Sequence, residues 1–135
     1  MSIETLIEDF SFLDAWEDRY KYLIELGGKL PKLDDTKKIE EWKIDGCQSQ
    51  VWIIPHLDGK NIYFEGDSDA IIVRGIIAIV FEIFKDKSAQ EILDIDVEEI
   101  FDKMGLREHI TPNRRSGMLS MVDKIKYYAE QKLKE

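Results

Sequence analysis

The stretch from residue 70 to residue 84, AIIVRGIIAIVFEIF, constrains the fold more than any other part of the chain. It is apolar on most faces of a helix, so as a helix it has to be buried among other elements. Its β-branched residues would also suit a strand, but its length, the cap residues offered by GDSDA (66–70) and the presence of Ala78 favour a helix. The stretch is too short for a membrane span and is interrupted by Arg74 and Glu82.

Three short segments that precede this run are predicted as strands. VWIIPHL (51–57) and NIYFE (61–65) flank a DGK turn, in which Gly59 can take the positive φ of a hairpin. IEEWKI (39–44) alternates weakly and is predicted as the first strand of the three. Pro55 has no amide hydrogen, so we expect it where its strand has no ladder partner, or at a bulge.

Helical periodicity covers much of the remaining chain. The pattern predicts a short amphipathic helix over residues 3–10 and a second over 13–24, with Gly27 and Gly28 as its stop signal. Further helices are predicted after Ser88, which has capping-box spacing to Glu91, over DVEEIFDKM (96–104) up to Gly105, and after TPNRRSG (111–117). Helices around three consecutive antiparallel strands define an α+β fold, with the helices packed on one face of a small sheet. A chain of 135 residues fits a single domain spanning 1–135.

The charge and the cysteine content limit the partners and the compartment. Twenty-eight acidic against nineteen basic side chains give a formal net charge of −9, so neither nucleic acid nor a membrane is predicted as a partner. The segment MSIETLIEDF carries acids where a secretory signal carries bases, and one cysteine excludes an intrachain disulfide, so we expect a cytoplasmic protein. Cys47, His56 and His109 lack ligand-like spacing and no phosphate-binding glycine motif occurs, so no metal and no cofactor are predicted.

Cys47 is the candidate for chemistry. A lone cysteine is usually a small buried hydrophobe, but Gly46 allows a sharp turn here and the following Gln48, Ser49 and Gln50 are polar. These residues predict an accessible loop thiol between the first and second strands, able to attack or to carry sulfur. No resolving cysteine, metal set or recognisable histidine base accompanies it. A sulfur carrier is therefore favoured over an oxidoreductase or a cysteine hydrolase.

Four ordered blocks resemble the SufE family, the sulfur acceptors that partner pyridoxal-phosphate-dependent cysteine desulfurases. The resemblance runs from about Trp16 to Tyr127, and the blocks are YLIELGGKLP (22–31), GCQSQVW (46–52), GDSDAIIVRGIIAIV (66–80) and LREHITPNRRSGM (106–118). It implies a SufE/IscU-like domain in which Cys47 accepts the persulfide sulfur of a SufS-like desulfurase. The sulfur would then pass to a SufBCD-type scaffold complex for iron–sulfur cluster assembly. On this resemblance the protein is a carrier and activator rather than a stand-alone enzyme.

The same resemblance implies supporting roles for residues around the thiol. Arg114 matches the arginine of the family's Thr/Ser-Pro-x-Arg block and is expected near the cysteine loop or the desulfurase interface, where it would favour a thiolate or persulfide anion. Asp69 is expected to cap the following helix or to hold the loop in its resting place. Gln48 and Gln50 are expected to brace the loop or to contact the partner, while Gly46 supplies a hinge.

Several alternatives stay open at this stage. A paralogous CsdE-type acceptor serving another desulfurase fits the same motifs, and a U-type cluster scaffold shares the architecture but requires three cysteines. A structural domain with a merely buried cysteine is a further reading, and the sequence does not separate a monomer from a homodimer. Arg114 and Arg115 precede the last predicted helix, where cations oppose its dipole, so a solvated pair and an anion-binding pair both fit.

Overall fold

The computed structural model of the chain describes residues 2–46, 49–106 and 112–134. Over these residues an antiparallel hairpin packs with helices, which confirms the α+β class. No helix in these ranges is both long and apolar enough to cross a membrane. The elements in chain order are α1 (Ile3–Ser11), α2 (Trp16–Lys29), the 3₁₀ turns η1 (Asp35–Lys37) and η2 (Glu40–Trp42), β1 (Val51–Asp58), β2 (Asn61–Ser68), α3 (Ile71–Phe84), α4 (Ala89–Asp94), α5 (Val97–Lys103) and α6 (Pro112–Leu133).

The predicted hairpin is confirmed. β1 and β2 pair along their full length, and Gly59 in the turn between them has a φ of 60°. Ile62 donates its amide hydrogen away from β1, to the carbonyl of Lys87. Because the direction of these bonds alternates along a strand, the nitrogen of Pro55 faces the outer edge, where no ladder hydrogen bond is needed. The register continues through this proline without a bulge.

Both faces of the sheet are buried where β1 begins. Alternate side chains, starting with Val51, join the helical core. On the other face Trp52 and Ile54 pack with Leu33, and Trp42 lies partly buried against them. The helices therefore cover one face, and the segment between α2 and β1 covers the first half of the other.

The predicted first strand over 39–44 is wrong. The chain forms η2 there, and only one isolated bridge, between Lys43 and Trp52, joins the segment to β1. The face of the hairpin that points away from the helices carries Trp52 and Ile54, which have to be covered. A tight turn places Trp42 against them, while Ile39 stays exposed. If residues 39–44 paired with β1 as a strand instead, their weak alternation would bury less apolar surface. The sheet of the described residues consequently has two strands and not three.

α3 is the buried central helix that the apolar run predicts. Its side chains pack with those of the other described α-helices in one core. The prediction that GDSDA caps it is wrong: Ala70 occupies the N-cap without a side-chain hydrogen bond. The buried residues of α3 are Val73, Gly75, Ile76, Ile77, Ile79, Val80, Ile83 and Phe84.

Gly27 and Gly28 do not stop α2, which is a third correction. The helix continues through both residues to Lys29. A methyl carbon on Gly27 would lie 2.8 Å from the amide nitrogen of Gly75 and 3.0 Å from the carbonyl oxygen of Ile71. Gly27 is therefore required at the crossing, because the backbones of α2 and α3 are in contact and a larger residue would separate them.

The C-terminal helices follow the sequence signals closely. The capping box is present, with Ser88 and Glu91 bonding reciprocally to each other's backbone. Gly105, with a φ of 71°, follows α5 as predicted. α6 begins at Pro112, earlier than predicted, because proline suits the first helical position, where an amide hydrogen has no partner within the helix.

Candidate functional site

The thiol loop, residues 46–50, begins against α6. Gly46 has a φ of 85°, which side chains disfavour. A methyl carbon at this position would also lie 2.7 Å from the Oγ atom of Ser120. Glycine is thus required both by the backbone and by the closeness of α6. Cys47 and Gln48, which follow it, lie outside the described residues.

The other end of the thiol loop is fastened to the segment that leads into α3. Gln50 donates its amide hydrogen to Oδ1 of Asp69 at 3.0 Å, and the amide of Asp69 donates to the carbonyl of Gln50 at 3.3 Å. The amide of Ile44 donates to the carbonyl of Val51 at 2.8 Å and closes the base of the loop. Ser49 between these ties is half-buried. Asp69 therefore holds the loop end and does not cap α3.

A buried carboxylate lies at the C-terminal end of β2, opposite the start of β1 where the thiol loop ends. Asp67 is only 2% exposed. It accepts hydrogen bonds from the amides of Leu33 at 3.1 Å and Ser68 at 2.8 Å, and it pairs with the guanidinium of Arg74. Burial alone would raise the pKa of Asp67, but these hydrogen bonds and the arginine lower it below its ordinary value. The carboxylate is consequently ionised at neutral pH.

Arg74 extends this cluster to the end of α2. It donates to the carbonyl of Gly27 at 3.2 Å and to that of Leu30 at 2.6 Å. One side chain thereby links α2, α3 and the end of β2. Sequence reasoning missed this cluster, although an arginine inside an otherwise apolar helix and the first acid of GDSDA were both visible signals.

The two arginines expected ahead of the last helix lie in its first turn. Arg114 donates to the hydroxyl of Tyr20 at 3.2 Å, which connects α6 to α2. Arg115 pairs with Glu98 of α5 at 2.7 Å. The prediction that both precede the helix is wrong, since α6 already starts at Pro112. The interpretation of Arg114 as a partner of the thiolate stays a prediction.

A groove of about 360 Å³ opens beside the start of the thiol loop. It runs between the residues that lead into the loop and the outer face of α6, and Tyr127 at its wall is 49% exposed. Sequence reasoning did not place α6 next to Gly46, because a contact between residues so far apart in the chain leaves no local signal. The lining residues are Lys43, Ile44, Asp45, Ser120, Asp123, Lys124 and Tyr127.

The fold defines a small α+β protein, and its one cysteine lies in the sequence between Gly46, which is close to α6, and Gln50, which is hydrogen-bonded to Asp69. The chain belongs to the SufE family, described as an Fe-S metabolism associated domain, whose profile matches residues 4–129. It is similar to an uncharacterized SufE-like protein of Rhizobium meliloti (strain 1021), at 48% identity over 136 residues that cover 98% of this chain and 97% of the relative. An uncharacterized SufE-like protein of Rhizobium etli is 48% identical over 133 residues, covering 96% and 90%.

The fold also has a counterpart among solved structures. The solution structure of a hypothetical protein from Thermus thermophilus superimposes with a TM-score of 0.79 over 100% of both chains. Its sequence identity to this chain is 19%, so this likeness bears on the fold alone. The family match confirms the resemblance drawn from the four sequence blocks and associates the chain with iron–sulfur metabolism.

Proposed function

We propose that this protein accepts persulfide sulfur from a pyridoxal-phosphate-dependent cysteine desulfurase onto Cys47 and passes it on for iron–sulfur cluster assembly. The observation that carries the proposal is the family match over residues 4–129 of a chain that holds a single cysteine. The anchored loop supports it, because a carrier thiol has to be presented to two different partners in turn. The pyridoxal phosphate belongs to the partner, and this chain supplies the acceptor thiol.

The transfer step balances without an added oxidant or reductant. The thiolate of Cys47 attacks the terminal sulfur of the desulfurase persulfide, a new sulfur–sulfur bond forms on Cys47, and the bond to the desulfurase cysteine breaks. The desulfurase cysteine leaves as a thiolate. The product, a persulfide on Cys47, can repeat the same exchange with a thiol of the scaffold complex.

The anchors of the thiol loop give this chemistry a physical basis. Gly46 at one end lies close to Ser120 of α6, and Gln50 at the other end is hydrogen-bonded to Asp69, which precedes α3. Three residues of the sequence, 47–49, lie between these two ends. The Asp69–Gln50 hydrogen bonds are exposed, so water competes for both groups.

The test is intact-mass measurement after mixing the purified protein with a cysteine desulfurase and cysteine. Wild type is expected to gain the mass of one sulfur atom, and Cys47→Ser is expected to gain none. A matched control moves the thiol by two positions, in the double variant Cys47→Ser, Ser49→Cys. It keeps the cysteine count and should accept sulfur poorly. If Cys47→Ser stimulates sulfide release as fully as wild type, the carrier role is wrong.

A further inference from the structure

A pocket of about 500 Å³ opens between α1, the ends of α2 and α3, and the first half of β2. We infer that it binds one molecule of a small amphipathic anion, an aliphatic or aromatic chain that ends in a carboxylate. Its volume lies within the range of roughly 300 to 1,000 Å³ that is usual for small-molecule sites. We call it the apolar pocket, and the inference does not depend on the function proposed for Cys47.

The base of the apolar pocket consists of buried aliphatic side chains from three elements. Leu6 of α1, Leu26 of α2 and Ile62 of β2 line it, and each is at most 3% exposed. They belong to the main core of the protein, so they are held in place whether or not the pocket is filled. A hydrocarbon chain that enters the pocket is therefore transferred from water to a preformed apolar surface.

The walls of the apolar pocket carry side chains that the fold leaves partly uncovered. Phe64 of β2 and Phe81 of α3 stack with their ring centres 6.0 Å apart, and both are only partly buried. The Phe81 ring reaches over Gly66, where a methyl carbon would lie 2.7 Å from its Cζ atom. Ala78, one helical turn before Phe81, lines the same pocket with a side chain too short to fill it. Protein interiors are normally packed without such space, so it is available to a ligand.

Two lysines at the rim define the charge of the ligand. α2 ends at Lys29, and Lys85 directly follows the end of α3. Both residues line the pocket and are exposed. A cation is favourable where a helix ends, and because both helices end beside the same pocket, the fold brings two ammonium groups to its rim.

These two ammonium groups are available to a ligand. Among the residues that the structure describes, neither Lys29 nor Lys85 forms an ion pair. Glu82 is the one acid among the described lining residues, so two lysines against one glutamate give the lining a formal charge of +1. The whole chain carries −9, which makes this charge exceptional on its surface. A carboxylate at the rim forms charge-assisted hydrogen bonds with the lysines, while its chain lies in the pocket.

The apolar pocket is remote from the thiol loop. Ser68 pairs with Val51, at which the thiol loop ends, and six residues of extended strand separate Ser68 from Ile62, a distance of about 20 Å. None of the described residues that line the pocket also lines the groove beside Gly46. Binding to the pocket is therefore measured on the isolated protein, without a desulfurase.

The experiment measures the binding of decanoate by calorimetry and by amide chemical shifts, below the concentration at which decanoate forms micelles. The comparison ligand is decyltrimethylammonium, which has the same chain and a cationic head. We expect one molecule of decanoate per chain, with the largest shifts at Ile62, Ala78 and Phe81. The cation should bind about tenfold more weakly, because the rim favours the opposite charge.

Two variants and a matched control locate the site. Ala78→Phe fills the pocket and should abolish the binding of decanoate. Lys29→Gln combined with Lys85→Gln removes both ammonium groups and should weaken binding about tenfold. Lys21→Gln combined with Lys134→Gln removes two exposed lysines outside the pocket and should bind as wild type does. Circular dichroism and urea unfolding establish that each variant is folded, and the lysine pair tests the site even if Ala78→Phe does not fold.

The possible results separate the pocket from its charge. A wild-type protein that binds no decanoate, or a folded Ala78→Phe protein that binds it as wild type does, would overturn the pocket as a ligand site. Equal affinity for decanoate and for its cationic analogue, or unchanged binding by the Lys29/Lys85 variant, would overturn its assignment to an anion. The carrier function stands or falls separately, because the mass gain on Cys47 is measured without decanoate.

Discussion

Replacing Gly75 by alanine tests the helix crossing on which the position of the site depends. The added methyl carbon would lie 2.8 Å from the carbonyl carbon of Leu23, whereas carbon atoms pack about 3.5 to 4.0 Å apart. The neighbour is helix backbone, so no rotamer change relieves the contact and α2 has to move by about 1 Å. Overpacking costs about 1 to 3 kcal/mol, and a backbone contact belongs at the upper end. Alanine returns about 1 kcal/mol of helix propensity, so we expect a net loss of about 2 kcal/mol in the free energy of unfolding.

Gly28→Ala is the matched control for this substitution. The residue lies on the same helix, and an added methyl carbon would meet no atom within 4 Å. We expect a gain of about 0.5 kcal/mol, because alanine loses less backbone freedom on folding. Urea unfolding followed by circular dichroism gives both values and the dependence on denaturant. A Gly75→Ala protein as stable as wild type, with the same dependence on urea, would refute the backbone-to-backbone crossing.

Three further substitutions test the ties around the site. Asp67→Asn should lower the free energy of unfolding by about 2 kcal/mol at pH 7. Because the pKa of this carboxyl is lowered in the folded state, its contribution is present above the ordinary value of 3.8 and is lost as the pH falls through the folded-state value. The difference from wild type in urea unfolding should therefore shrink below about pH 4, and a constant difference would contradict the assignment. Asp69→Ala removes the side-chain hydrogen bond to Gln50 at one end of the thiol loop. The rate of Cys47 alkylation should therefore change, while the midpoint of urea unfolding moves little. An unchanged alkylation rate would argue against this tie. Gly46→Ala places an alanine at a positive φ and in close contact with Ser120. This should lower the free energy of unfolding by about 1 to 2 kcal/mol and slow sulfur transfer. Wild-type stability would mean that the loop start is not held in this conformation.

Local signals were sufficient for much of the fold. The hairpin around Gly59 and the capping box at Ser88 depend on residues close together in sequence, so the sequence alone predicts them. The buried α3 follows from its composition, since a helix that is apolar on most faces has one stable environment. The sequence also predicts a loop over 46–50, because polar residues follow a glycine there, and Cys47 and Gln48 of this segment lie outside the described residues.

Features that depend on distant neighbours could not be predicted in this way. Gly27 has the local appearance of a helix stop, and only the approach of α3 shows that it is a contact point. The segment 39–44 alternates like a strand, yet the uncovered face of β1 places Trp42 in a turn. The Asp67–Arg74 pair and the contact between Gly46 and α6 likewise require the assembled fold.

The acceptor role of Cys47 is tested most directly by following isotope-labelled sulfur. The protein is incubated with a cysteine desulfurase and cysteine labelled in its sulfur, free thiols and persulfides are alkylated, and the digested peptides are measured by mass spectrometry. The account predicts one labelled sulfur atom on the peptide that contains Cys47, and its loss when the scaffold complex is added. Labelled sulfide released by the desulfurase while that peptide stays unlabelled would contradict it.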